Sequence, residues 1–152
     1  IFADAYTPVV DSSAIPTGEI ASVEGTPMDF RTEKQIGQDI RADFEQLHFT
    51  GGYDHNYVLG RPGEKKIMAN AYCRESGIAL EAETDCCGVQ FYAGNFIGEQ
   101  TGKGGASYHD RSAFCLESQF YPNAVNEPDF PSPVVKAGDT YHTETSYRFY
   151  LR

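Results

Sequence analysis

The sequence predicts an all-β sandwich with few short helices, built as one domain. Three observations carry that expectation. Ten Tyr and ten Phe, with no Trp, stand among 15 Gly and 8 Pro in 152 residues, a mix that favours short strands and tight turns over helices. Several segments alternate polar and apolar side chains with period two. Turn residues recur between those segments at sandwich-like spacing. A chain of this length suffices for one domain and for burial of roughly 70% of its unfolded surface.

Along the chain, residues 1–10 read as a strand entering a turn closed by Pro8, and DSSAIPTGEI (11–20) as turn, punctuated by Pro16 and Gly18. VEGTPMDFRT (23–32) reads as a short extended piece. Thr32-Glu33-Lys34-Gln35 has capping-box spacing, but Gly37 limits any helix to about one turn. A second helical turn is expected between Ala42 and His48. GGYDHNYVLG (51–60) reads as a strand bounded by glycines. KIMANAYC (66–73) and GIALEAET (77–84), separated by Arg74-Glu75-Ser76, read as a hairpin. In the second arm Ile78, Leu80 and Ala82 are expected on the dry face, and Ala79, Glu81 and Glu83 on the wet one. GVQFYAGNFIG (88–98) reads as a strand bent at Gly94, GEQTGKGGASYHD (98–110) as a glycine-rich loop, and SAFCLESQF (112–120) as a strand. DTYHTETSYRFYLR (139–152) reads as a last alternating strand, with Tyr141, Thr143, Thr145, Tyr147 and Phe149 on one side. No repeat, linker or low-complexity tract divides the chain.

The net charge of −10, without a Lys/Arg cluster, argues against nucleic acid and anionic membrane as partners. No apolar run approaches the roughly 20 residues of a membrane helix, and no signal peptide is recognisable. The chain opens at Ile1 rather than Met, so an upstream segment has been removed or the chain is a piece of something longer. Cys73, Cys86, Cys87 and Cys115 fit no zinc spacing, and the adjacent pair is poorly placed for a disulfide. With no Asn-x-Ser/Thr sequon, free thiols in a reducing, cytoplasmic setting are expected; buried small hydrophobes are the plainer reading of the four.

Polar residues interrupt three strands. Cys115, Glu117 and Gln119 share one face of their strand, Phe114, Leu116 and Phe120 the other. Glu117 is either simply exposed or a site residue; the stiff, asparagine-rich loop PNAVNEPDFPSP beyond it favours a site. Asp54 and Asn56 share a face opposite Tyr53, His55 and Tyr57; turn chemistry is the plain reading of Asp54. Gln90 shares its face with Tyr92, and its plain reading is a polar outer face. Together an Asp, a Glu, a Gln and several Tyr suit a sugar, because carboxylates and amides bind hydroxyls and aromatic rings cover a pyranose face. The four histidines, His48, His55, His109 and His142, form no metal-type pair, and for each a structural or surface role outweighs catalysis.

GTPMDFR (25–31), GGYDHNYVL (51–59), GVQFYAGNF (88–96), the GKG at 102–104 and FCLESQFYPNAVNEPDFPSPVVKAGDTY (114–141) together resemble the aldose 1-epimerase family, the galactose mutarotases. The resemblance runs in order along essentially the whole chain. It implies that residues 1–152 are a C-terminal portion of a large galactose-mutarotase-like β-sandwich, or supersandwich, whose N-terminal half is absent. It further implies interconversion of α and β anomers of hexoses such as galactose and glucose, by acid/base ring opening and closure, with no metal or organic cofactor. On the family pattern Glu117 matches the general base, while Asp54 and Gln90 match residues that bind the sugar. The family's acid histidine lies in a block upstream of the ADAYTPV-like segment, so this chain is expected to lack the acid and to be inactive alone. Its own N-terminal half, or another copy, is the expected macromolecular partner. The alternatives are a non-catalytic carbohydrate-binding sandwich and a glycoside hydrolase using Asp54 and Glu117, which would need a carboxylate separation of about 5–9.5 Å.

Overall fold

Alternating segments become strands wherever a neighbour of matching register is available. In a computed structural model, which describes residues 1–152, ten strands and one short α-helix form. The strands are β1 (Ala5–Tyr6), β2 (Ala21–Ser22), β3 (Asp54–Val58), β4 (Lys66–Tyr72), β5 (Ile78–Thr84), β6 (Gly88–Tyr92), β7 (Gln100–Thr101), β8 (Ser107–Tyr108), β9 (Cys115–Gln119) and β10 (Thr145–Leu151). A five-stranded sheet runs β2-β1-β3-β6-β9, a three-stranded sheet β10-β5-β4, and β7-β8 make a small separate hairpin. All the strand pairs are antiparallel, which lets each large sheet keep one polar and one apolar face.

The two large sheets share one core. Tyr53, Tyr57, Val89, Phe91 and Leu116 come from the first sheet region, and Met68, Ala69 and Ala82 from the second. Phe30 packs edge-on against Tyr53 and Phe91, at 4.9 and 5.3 Å between ring centroids. The buried phenols avoid a desolvation penalty by donating to backbone: Tyr53 Oη to Pro27 O and Tyr57 Oη to Met28 O, each at 3.0 Å. Ser118, Thr145 and Thr84 join hydroxyls between the sheets, at 2.6 and 3.0 Å.

The expected hairpin over 66–84 forms, with a bulge between Ile67 and Ala69. Its dry and wet faces are less clean than the alternation suggests: Ile78 is 48% exposed and Ala79 only 2%. Ala79 lies directly between Tyr72 and Tyr150 on the neighbouring strands, whose larger side chains flank it, while Ile78 is the first residue of its strand. The capping-box segment is irregular chain instead of helix, with a turn only from Ile36; Lys34 donates to Pro27 O at 2.7 Å and lies 4.3 Å from the Phe30 ring centre. The helix α1 (Glu45–Thr50) starts later than the expected turn. It stops at Gly51, whose φ of 66° suits a left-handed cap. Gln46 ties it to Val9 through both ends of its carboxamide, at 2.7 and 3.1 Å.

The extended segment expected at 23–32 is turn; pairing falls just before it, in β2. The glycine-rich 98–110 stretch contains β7, β8 and a short 3₁₀ turn at Lys103–Gly105. The final strand starts at Thr145, not near 139, because its partner β5 ends at Thr84, opposite Thr145. Tyr141 and Thr143 therefore lie outside it.

Candidate functional site

Three antiparallel strands set the site, because register puts their outward residues side by side. Asn56 pairs with Gln90 between β3 and β6, and Gln90 pairs with Glu117 between β6 and β9. Asp54 pairs with Tyr92, which pairs with Cys115. Gly88 pairs with Gln119. The outer face of the sheet thus carries Asp54, Asn56, Gln90, Tyr92, Cys115, Glu117 and Gln119 as one polar patch. All three residues singled out from the sequence, Asp54, Gln90 and Glu117, lie in it.

The patch is wired by amides. Gln90 Nε2 donates to Asp54 Oδ1 at 2.7 Å. Gln119 Nε2 donates to Gln90 Oε1 at 3.0 Å and to Asn56 Oδ1 at 3.2 Å. Ionised Asp54 only accepts, so it obliges Gln90 to present its NH₂ end, and the polarity of the whole chain follows. Asp54 and Gln90 are half-buried, Asn56 is 2% exposed, and Glu117 is exposed. The Glu117 side chain takes part in no hydrogen bond or ion pair. One half-buried carboxylate is held by an amide, and beside it a second carboxylate is free to accept a proton. That arrangement can bind hydroxyls and act as a base.

Gly88 makes the far end of this network possible. A Cβ there would run into Asn56 Oδ1 and the Tyr121 ring. Tyr121 packs edge-on to Phe130 at 5.1 Å, so the proline-rich loop is anchored directly beside the patch. At the other end Tyr92 Oη accepts from the Phe96 N–H at 2.9 Å.

Sequence reasoning placed Gln119 on this face without seeing its part in the network. The signal was present, since Gln119 is two residues from Glu117 and shares its side of the strand. Tyr147 was placed on one side of the last strand, without its link to this patch. It donates to Leu116 O at 2.7 Å, and burial, then the Glu117 charge, raises its phenol. Burial, then the Glu117 and Asp54 charges, likewise raises the Cys115 thiol.

The histidines lie elsewhere. His55 points to the opposite, core face and is fully buried; its Nδ1 accepts from the Asp54 N–H at 3.2 Å, while Nε2 has no partner. Burial pushes its imidazole down to about 4. His109 pairs with Glu99 at 2.7 Å and His48 with Asp43 at 3.5 Å, both on the surface. His142 lines a small cavity of about 190 Å³ with Asp85 and Cys86. None hydrogen-bonds to a side chain of the patch. No group of three or more His, Cys, Asp or Glu is arranged to hold a metal ion. The cysteines are all free thiols, Cys86 and Cys87 buried, Cys73 and Cys115 exposed, so the buried-hydrophobe reading covers two of the four. No helix is long and apolar enough to cross a membrane.

Comparison with known proteins gives one consistent result. A family model described as aldose 1-epimerase matches residues 1–148. The chain is 45% identical to galactose mutarotase from Bos taurus over 150 residues, which are 98% of this chain and 42% of that protein. It is 37% identical to aldose 1-epimerase from Escherichia coli (strain K12), over 98% of this chain and 43% of that one. A solved GalM/aldose epimerase homologue from C. elegans superposes with a TM-score of 0.78 at 31% identity, over 98% of this chain and 44% of that one. Galactose 1-epimerase from Lactobacillus acidophilus NCFM shares the fold, with a TM-score of 0.61 at 20% identity. The chain spans less than half the length of these relatives.

Proposed function

The chain belongs to the aldose 1-epimerase family, and from that premise we propose that its Asp54–Gln90–Glu117 face is the hexose-binding, base-bearing part of a mutarotase site. Glu117 takes the proton from the anomeric hydroxyl. An acid delivers a proton to the ring oxygen, and the C1–O5 bond breaks to give the open aldehyde. Rotation about C1–C2 exposes the other carbonyl face, and reversal of both proton transfers closes the ring as the second anomer. Asp54 holds sugar hydroxyls through its free Oδ2, and Gln90 contributes its remaining N–H. A positioned acid–base pair supplies about 10²–10⁴-fold. The reaction needs no metal or organic cofactor.

The observation that carries this reading is Glu117, an exposed carboxylate with no internal partner, set across the ladder from an amide already committed to Asp54. We take the acid to lie outside the four histidines: His55 is buried on the opposite face, and His48 and His109 are paired with surface carboxylates. We assign it to polypeptide outside residues 1–152, making this chain a C-terminal portion of an epimerase domain. Its partner is the remainder of that domain or a second copy, and its free thiols fit the cytoplasm. Alone, the chain then binds galactose or glucose without speeding mutarotation.

Polarimetry on freshly dissolved α-D-galactose tests this, with backbone NMR of the same sample. Galactose-induced shifts at Asp54, Gln90 and Glu117 with decay at the spontaneous rate support the reading. Acceleration that survives Glu117→Gln sinks the assignment of the base. The lack of an acid in the patch also favours a second reading, carbohydrate binding without catalysis. That reading predicts no acceleration even when the remaining half of a family member is added.

A further inference from the structure

Resting on the sugar-site reading, a further role attaches to Gln119, a residue that takes no part in the proton transfers. Gln90 stands directly opposite Glu117 on the ladder, where facing side chains lie about 5 Å apart at Cβ. A carboxamide with its NH₂ end free to swing has two carboxylate acceptors in reach, Asp54 and Glu117. It is found on Asp54 alone, at 2.7 Å. The restraint is at its other end, where Gln119 Nε2 holds Gln90 Oε1 at 3.0 Å. Gln119 is in turn braced on Asn56 Oδ1 at 3.2 Å, and Asn56 is wedged against Gly88 and 2% exposed.

We propose that Gln119 is a positioning residue: by clamping Gln90 onto Asp54, it keeps the Glu117 carboxylate unpaired and available to the anomeric hydroxyl. Without the clamp, Gln90 divides its donation between two carboxylates. The sugar then meets an Asp54 that is less well oriented and a base that is partly occupied. The amide chain also aligns successive dipoles toward Asp54, which strengthens each link.

The test is made on the 152-residue chain with Gln119→Met, close in shape but unable to donate, and Gln119→Glu, which when ionised only accepts. The readouts are the side-chain ¹⁵N–¹H₂ signals of Gln90 and the dissociation constant for D-galactose by NMR titration. The expected result is exchange-broadened Gln90 amide signals, as the amide divides between two acceptors, with β3 and β6 backbone signals in place, and galactose affinity about tenfold weaker. A purely structural Gln119 would lower stability and, through the lost 3.0 Å bond, displace the Gln90 signals without exchange broadening, leaving galactose affinity unchanged in the folded variants, and that outcome overturns the proposal. Should Gln119→Met fail to fold, Gln119→Glu decides between the same two outcomes. No response of the wild-type chain to galactose would overturn the sugar-site reading, while the ligand-free Gln90 signals would still judge the clamp.

Discussion

Gln90 faces Glu117 across the β6–β9 ladder but gives its hydrogen bond to Asp54, 2.7 Å away on the other neighbouring strand. One amide therefore separates two carboxylates in different settings. Asp54 is held and oriented, and Glu117 is left free.

Glu117→Gln should leave stability within about 0.5 kcal/mol, because the side chain is exposed and makes no internal bond. Galactose binding should persist. In a sample completed by the remaining half of a family member, mutarotation should fall by about 10²–10⁴-fold, read by polarimetry. An unchanged rate would remove Glu117 from the mechanism.

Asp54→Ala should act in the opposite sense, on binding first. It deletes the acceptor for Gln90 Nε2 and, on the proposed function, an oxygen that holds sugar hydroxyls. Hydrogen bonds to charged groups contribute about 1.5–3 kcal/mol, so galactose affinity should drop roughly ten- to hundredfold by titration. A loss under twofold would contradict the assignment.

His55 makes stability pH-dependent. Its imidazole is held down to about 4 in the folded chain by burial, against 6.5 for the ordinary group. Below pH 6.5 the unfolded chain takes up the proton first, so stability is full above that pH and declines as pH falls toward 4. Urea unfolding should show a loss of about 1 kcal/mol from this group between pH 7.5 and 5.5. His55→Phe, which also removes the partnerless Nε2, should flatten that slope.

Gly88→Ala should be costly although its backbone is ordinary. The new Cβ meets Asn56 Oδ1 and the Tyr121 ring, and overpacking of this kind costs about 1–3 kcal/mol. The same variant should disturb the Gln119 and Gln90 amide signals, because Asn56 braces Gln119.

Thiol labelling should separate the cysteines. Cys73 and Cys115 should react in the native protein, and Cys86 and Cys87 only on unfolding. Cys73 should be the faster of the exposed pair at neutral pH: its bonds with Ser76 lower its thiol, whereas burial raises that of Cys115. Equal rates at all four would contradict the packing.

Much of the fold was legible in period-two alternation, because a strand's two faces meet two environments. The hairpin over 66–84 and the face shared by Cys115, Glu117 and Gln119 both follow from it. Alternation failed where neighbours decide burial. Ala79 is buried because Tyr72 and Tyr150 flank it, and both reach it from other strands. The helix fell at Glu45–Thr50 because Gln46 could tie to Val9, a contact 37 residues away that no local capping signal encodes.

The sequence by itself determined the family, the strand-rich class, and the shared face of Asp54, Gln90 and Glu117, since motif blocks and side-chain period are local properties. Only the tertiary structure decided which of those residues meet. Register across β3, β6 and β9 set Gln90 between the carboxylates, and Gln119 and Asn56 set which one it serves. That choice rests on hydrogen bonds between residues 29 to 63 positions apart, which only folding brings within reach.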